Sequence, residues 1–169
     1  MEGRSVSHSA VVMSHAMMPH QANPFGAVHG GEIMKLMDEA AGIVAVKHCH
    51  VNVVTARVDG INFFRPIMVG NIVIINACLT FVSRSTMDVR VEVVNEDIFK
   101  EERHHALTAH FIMVAVGNTG KPVEIPPLIV SSDQEKRLWE YSEKRHKSCR
   151  GDLMAGDDEY KVCREDALF

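Results

Sequence analysis

The sequence predicts an α+β domain in which an antiparallel sheet wraps one long helix. Two observations carry this reading. From Gly30 to about Lys47 the chain has no proline and is rich in Ala, Met, Leu, Glu and Lys, all good helix formers. After His50 the texture changes to long runs of β-branched residues, several alternating apolar and polar with a period of two. One apolar helix followed by a meander buries its stripe when the sheet curls over it.

Taken in order, Val6 to Met13 mixes apolar and small polar residues and is read as a first strand. Pro19, Asn23, Pro24 and Gly26 then mark an irregular loop before the helix. Strands are predicted over Val51 to Ile61, Ile67 to Val82, Thr86 to Val94 and His104 to Val116. Within the third of these, Val89, Val91 and Val93 interleave with Asp88, Arg90 and Glu92, as on a half-buried sheet. Arg65-Pro66, Gly70-Asn71, Ser83-Arg84-Ser85 and the stretch from Gly117 to Pro122 are the turns. Ser131, Ser132 and Asp133 offer N-caps to a charged helix from Gln134 to Lys147. With 169 residues, 46% of them hydrophobic, the chain suits one core and is short for two. We assign residues 1–148 to a single domain and 149–169 to an acidic tail around Asp157, Asp158 and Glu159, expected to be mobile.

Composition excludes several classes of function. A net charge of −4 supplies no basic field for nucleic acid, and no partner of that kind is expected. Cys49, Cys78, Cys149 and Cys163 have no CxxC spacing, which speaks for free thiols in a reducing compartment and against a zinc ribbon. No apolar run is long enough to span a bilayer, and the amino terminus lacks the apolar stretch of a secretory signal. The expected location is the cytoplasm, with no membrane partner.

Placing residues 100° apart on the helix groups Ile33, Met37, Ala40 and Val44 as the core face, with Glu32, Lys35 and Glu39 as the wettest stripe. Asp38 belongs to neither. Its angular neighbours on one side are Lys35, on the other Met34, Ala41 and Ala45, which implies partial desolvation and a raised pKa. That suits a general base or nucleophile, although from the wheel alone a boundary carboxylate paired with a surface cation is the better-supported reading. Gly30 and Gly31 sit where the unpaired N–H groups of the helix start, a place suited to an oxyanion; a simple loop-to-helix turn is the other reading.

The remaining polar motifs carry less. His48-Cys49-His50 invites a metal, but side chains at i and i+2 diverge and no third ligand is evident, so no metal is assigned. His104 and His105 should face opposite sides of a strand. Asn62 to Pro66 reads as a strand end with a bulge, for packing or an interface.

The segment Asn23-Pro24-Phe25-Gly26-Ala27-Val28-His29-Gly30-Gly31, with Asp38 following, has the form N-x-x-G-x-x-H-G-G-x6-D. This closely resembles the hotdog acyl-CoA thioesterases of the brain-type cytosolic acyl-CoA hydrolase family and its bacterial short-chain relatives. The likeness continues through Met34 to Glu39, His48-Cys49, Val54-Thr55-Ala56, Asp59 to Phe63 and Ser83 to Thr86, covering roughly residues 10 to 145. The resemblance implies a hotdog fold, a homodimer unit assembling to a hexamer (a trimer of dimers), and an active site at the dimer boundary. It also implies roles: Asp38 as general base or nucleophile, Asn23 from the partner subunit orienting water, and the Gly31 amide polarising the thioester carbonyl. Arg84, Ser85 and Thr86 would lie near the coenzyme A moiety; on the residues alone a solvated turn is the preferred reading. The expected reaction is hydrolysis of acyl-CoA to a carboxylic acid and CoA, with no cofactor beyond the coenzyme A of the substrate. His29 is assigned a structural role. A hotdog enoyl- or hydroxyacyl-CoA hydratase and a non-catalytic acyl-CoA-binding regulator are the alternatives.

Overall fold

A computed structural model describes residues 1–155. Its main sheet has five strands: β2 (Val11–Ala16), β3 (Asn52–Asp59), β4 (Ile72–Val82), β5 (Thr86–Asp97) and β6 (Glu102–Val116). They are ordered β2-β4-β5-β6-β3, and every neighbouring pair is antiparallel. The helix α2 (Gly30–Cys49) lies against the inner face, and α3 (Asp133–Ala155) crosses the outer one. This is the helix-in-sheet layout expected from the sequence.

The core forms because two periods agree, that of the helix and that of the strands. Ile33, Met37, Ala40, Ala41, Val44 and Ala45 are fully buried along α2, at the spacing of one helical face. Odd-numbered residues from Val73 to Leu79, Met87 to Val93 and Leu107 to Ala115 line the facing sheet. The helix wheel named four of these six residues, Ile33, Met37, Ala40 and Val44; Ala41 and Ala45 join them.

Two expectations near the ends need correction. Val6 to Met13 is not one strand. β1 (Arg4–Ser5) pairs parallel with β7 (Leu128–Ile129), one helical turn α1 (Val6–Ser9) follows, and only then does β2 begin. Ser9 is completely buried and Val12 is 68% exposed, so the alternation begins later than composition suggested. The stretch from Gly60 to Pro66 carries no strand; it is irregular, tied to the sheet by the Phe64 amide donating to the Ala106 carbonyl at 3.0 Å.

At the other end Ser132 and Glu135 cap α3 reciprocally. Ser132 Oγ accepts from the Glu135 amide at 3.1 Å, while Glu135 Oε2 accepts from the Ser131 and Ser132 amides at 2.7 and 3.0 Å. Those amides hold the Glu135 carboxylate below its ordinary range. The helix continues through Ala155, past residue 148, and the rest of the acidic tail, 156–169, lies outside the described residues.

Candidate active site on helix α2

The opening turn of α2 is built from residues close in sequence. Asn23 Oδ1 accepts the amides of Phe25 and Ala27 at 2.9 and 3.2 Å, which fixes the loop and the plane of its own side chain. The opposite end of that amide group, Nδ2, is thereby oriented as a donor. Asn23 and Gly30 share a cavity of about 310 Å³ with Val28, Ile33, Phe63 and Ile67. A Cβ on Gly30 would sit 3.3 Å from the Phe63 ring, so glycine is what lets this ring close down on the helix start.

The Gly31 amide is already engaged. It donates to His29 Nδ1 at 3.0 Å, making His29 the N-cap of α2. The structural role assigned to His29 is therefore seen directly.

The middle of the helix differs. Asp38 Oδ1 accepts a 2.6 Å hydrogen bond from the Thr55 hydroxyl, 17 residues away on β3. Sequence reasoning quoted Thr55 only as part of a motif and gave it no role. A threonine in a β-branched run carries no signal of its own. The geometry supplies one through a β-bulge in β3: the ladder to β6 runs Thr55 against Met113 and then Arg57 against Ile112, skipping Ala56.

Asp38 is not in the half-dry groove that the wheel implied. It is exposed in the single chain. Ala41 and Ala45, counted as its dry flank, have turned wholly into the core. What accompanies Asp38 on the outside is Met34, Ile43 and Val46, at 40, 44 and 44% exposure. The lone subunit thus leaves this helix face wet, with Met34 and Val46 flanking Asp38 among the exposed Lys35 and Glu39. Strand β3 borders it, and among the described residues β3 pairs with β6 alone, leaving one edge open.

Asp38 and Gly31 cannot serve one carbonyl from the same chain. Seven helical residues at ~1.5 Å each put them about 10 Å apart along the axis. The Arg84-Ser85-Thr86 turn stands at the same end of the sheet as Thr55, since Thr86 pairs with Val114 and Val114 with Val54. Arg84 is exposed there, with its carbonyl accepting from Ile125 at 3.0 Å.

The other polar groups singled out in the sequence have local partners. His48 is buried and its Nε2 meets the Pro126 carbonyl at 2.8 Å. His105 contacts Thr108 at 3.2 Å and stacks near Phe64, while His104 meets Glu102. Burial pushes the Cys49 and Cys78 thiols up, the wrong direction for a thiolate nucleophile.

Residues 25–100 match the family model described as the thioesterase superfamily. The chain is 38% identical over 147 residues to the cytosolic acyl coenzyme A thioester hydrolase of Rattus norvegicus, covering 86% of this chain and 39% of that protein. It thus spans well under half of that relative's length. Protein VdlD of Helicobacter pylori is 34% identical over 156 residues, 92% of this chain and 89% of that one. An apo-hexameric acyl-CoA thioesterase superposes with a TM-score of 0.86 at 28% identity, covering 90 and 98% of the two chains. The acyl-CoA hydrolase of Staphylococcus aureus, solved with butyryl coenzyme A and coenzyme A, gives 0.82 at 28% identity over 90 and 93%. That enzyme has also been solved with an asparagine, an aspartate or a threonine replaced by alanine. The spacing of those three positions equals that of Asn23, Asp38 and Thr55 here. The chain belongs to the thioesterase superfamily and has its hotdog fold.

Proposed function

We propose that this protein hydrolyses acyl-CoA to a carboxylic acid and CoA at a site shared by two copies of the chain. The observation that carries the reading is the Asp38–Thr55 hydrogen bond beside the open edge of β3. A carboxylate held by one oxygen keeps the other directed outward, where it takes a proton from water or attacks the thioester itself. Asn23 and the Gly31 amide of a second copy face it: the first orients water through Nδ2, the second receives the growing negative charge on the carbonyl oxygen. The separation of Gly31 from Asp38 along one helix is the reason two copies are needed. Pairing across the β3 edge would cover Met34, Ile43 and Val46, removing Asp38 from bulk water.

The leaving group is a thiolate, far more stable than an amine anion, so the site needs no strong acid. Arg84, Ser85 and Thr86 are proposed to contact the coenzyme A portion, and no cofactor enters the reaction. A dimer unit within a hexamer, in the cytoplasm, is the proposed assembly and location. The spacing shared with the substituted S. aureus positions and the hexameric state of a structural relative support this.

The test is a panel of acyl-CoA esters from acetyl to palmitoyl, with released thiol detected by a colour reagent. Thiol release by the wild type and its loss in Asp38→Asn is the expected result. Binding of acyl-CoA without release would convert the protein into a carrier or regulator and end the enzyme reading.

A further inference from the structure

The outer face of the sheet holds a charged cluster that the reaction does not use. Asp88, nearly completely buried, accepts from His110 Nδ1 at 2.8 Å and lies 3.8 Å from Arg145 of α3. The same guanidinium donates to Asp59 Oδ2 at 3.0 Å, and Asp59 also pairs with Arg57 at 2.8 Å. The Tyr141 ring lies beneath Arg145 and beside His110.

Asp59 and Arg57 belong to the strand that carries Thr55. Without a bulge, residues 55, 57 and 59 would face the same way. Skipping Ala56 reverses the strand's faces. Thr55 shares a row with Met113 and Met87 and points at α2; Arg57 shares a row with Ile112 and Asp88 and points at α3. The bulge removes ladder bonds to β6 at this point and leaves the strand locally less restrained. The Arg145–Asp59 pair spans from α3 to this strand just beyond the irregularity.

We infer that Arg145 is a positioning residue for the reaction: by clamping Asp59 from the outer face it holds the bulge at Ala56 and so keeps the Thr55 hydroxyl aimed at Asp38. This rests on the reading of Asp38 and Thr55 as the reacting pair. Arg145 touches neither substrate nor the Asp38 carboxylate; its effect passes through the backbone of residues 55–59. A displacement of about 1 Å at a reacting group costs as much as a hundredfold in rate, so a slackened strand is felt in turnover.

A double-mutant cycle on kcat tests this. Thr55→Val is expected to lower kcat about thirtyfold, the worth of one hydrogen bond to a charged group, and Arg145→Met about tenfold. If Arg145 acts through Thr55, the double variant falls no further than Thr55→Val alone, within about twofold. Asp59→Asn, which breaks the same pair from the strand side, should behave as Arg145→Met does. Ser142→Ala serves as control: it removes the 2.9 Å Ser142–Thr80 tie between α3 and β4 without touching β3, and kcat should hold. Losses that multiply, or a Ser142→Ala variant as impaired as Arg145→Met, overturn the inference and leave α3 a structural cover. A wild type that releases no thiol from any acyl-CoA instead defeats the underlying reading.

Discussion

The first turn of α2 and its middle are assembled in opposite ways. At the first turn the hydrogen bonds of the polar groups are local: Asn23 is held by Phe25 and Ala27, and Gly31 by His29. In the middle, Asp38 finds its partner 17 residues on, across the fold and past a bulge. The local group is complete in a single chain and even blocks its own amide. The long-range group leaves a wet carboxylate and an open strand edge, which the proposed site completes with a second copy. One pole of the site is thus self-contained, and the other is made for a partner.

Substitutions that separate the two poles test this contrast, beginning with the largest effect. Asp38→Asn should reduce acyl-CoA turnover about a hundredfold or more, since a positioned base contributes that much; thermal unfolding should barely shift, because the amide oxygen of Asn still accepts from the Thr55 hydroxyl. A comparable loss of stability would make Asp38 a structural residue. At the other pole, His29→Ala removes the N-cap and should cost about 1 kcal/mol in denaturant unfolding. It also frees the Gly31 amide, so KM should fall rather than rise. A raised KM, restored by the capping variant His29→Asn, would show that the amide is not a substrate contact.

The smallest effect is a dependence of stability on pH. Burial lowers the His48 pKa below its ordinary 6.5, with the nearby Arg4, His8 and His50 charges acting in the same direction against the Pro126 carbonyl. The folded state therefore keeps this imidazole neutral while the unfolded chain takes up a proton. The stabilisation is complete above pH 6.5 and declines as pH falls through that value toward the lower folded pKa. His48→Gln, which keeps a donor for Pro126 and does not titrate, should flatten the unfolding profile below pH 6.5. An unchanged slope in that variant would assign the dependence to another histidine.

The sequence was informative where structure is periodic or local. The buried stripe through Ile33, Met37, Ala40 and Val44 follows from 3.6 residues per turn, and the Ser132 cap from residue type and position. Asn23, His29 and Gly31 stand together because they are neighbours in the chain. Thr55 was illegible for the opposite reason: the skipped Ala56 reverses strand faces, and no alternation pattern announces it. The exposure of Asp38 was misjudged because a helical wheel gives angles, not what covers them; Ala41 and Ala45 turned to the core while Met34 turned outward. The pairing of Arg4 and Ser5 with Leu128 and Ile129 joins the two ends of the domain, beyond the reach of any local signal.

Complementation between two damaged chains probes the shared site most directly. Asp38→Asn and Asn23→Ala, each purified alone, should be nearly inactive toward acyl-CoA. When they are unfolded and refolded together, half the pairs at statistical mixing contain one of each, with one intact site, so about a quarter of wild-type thiol release should return. No recovery in a mixture shown to contain mixed oligomers would mean that Asp38 and Asn23 act within one chain, and the two-copy site would be wrong.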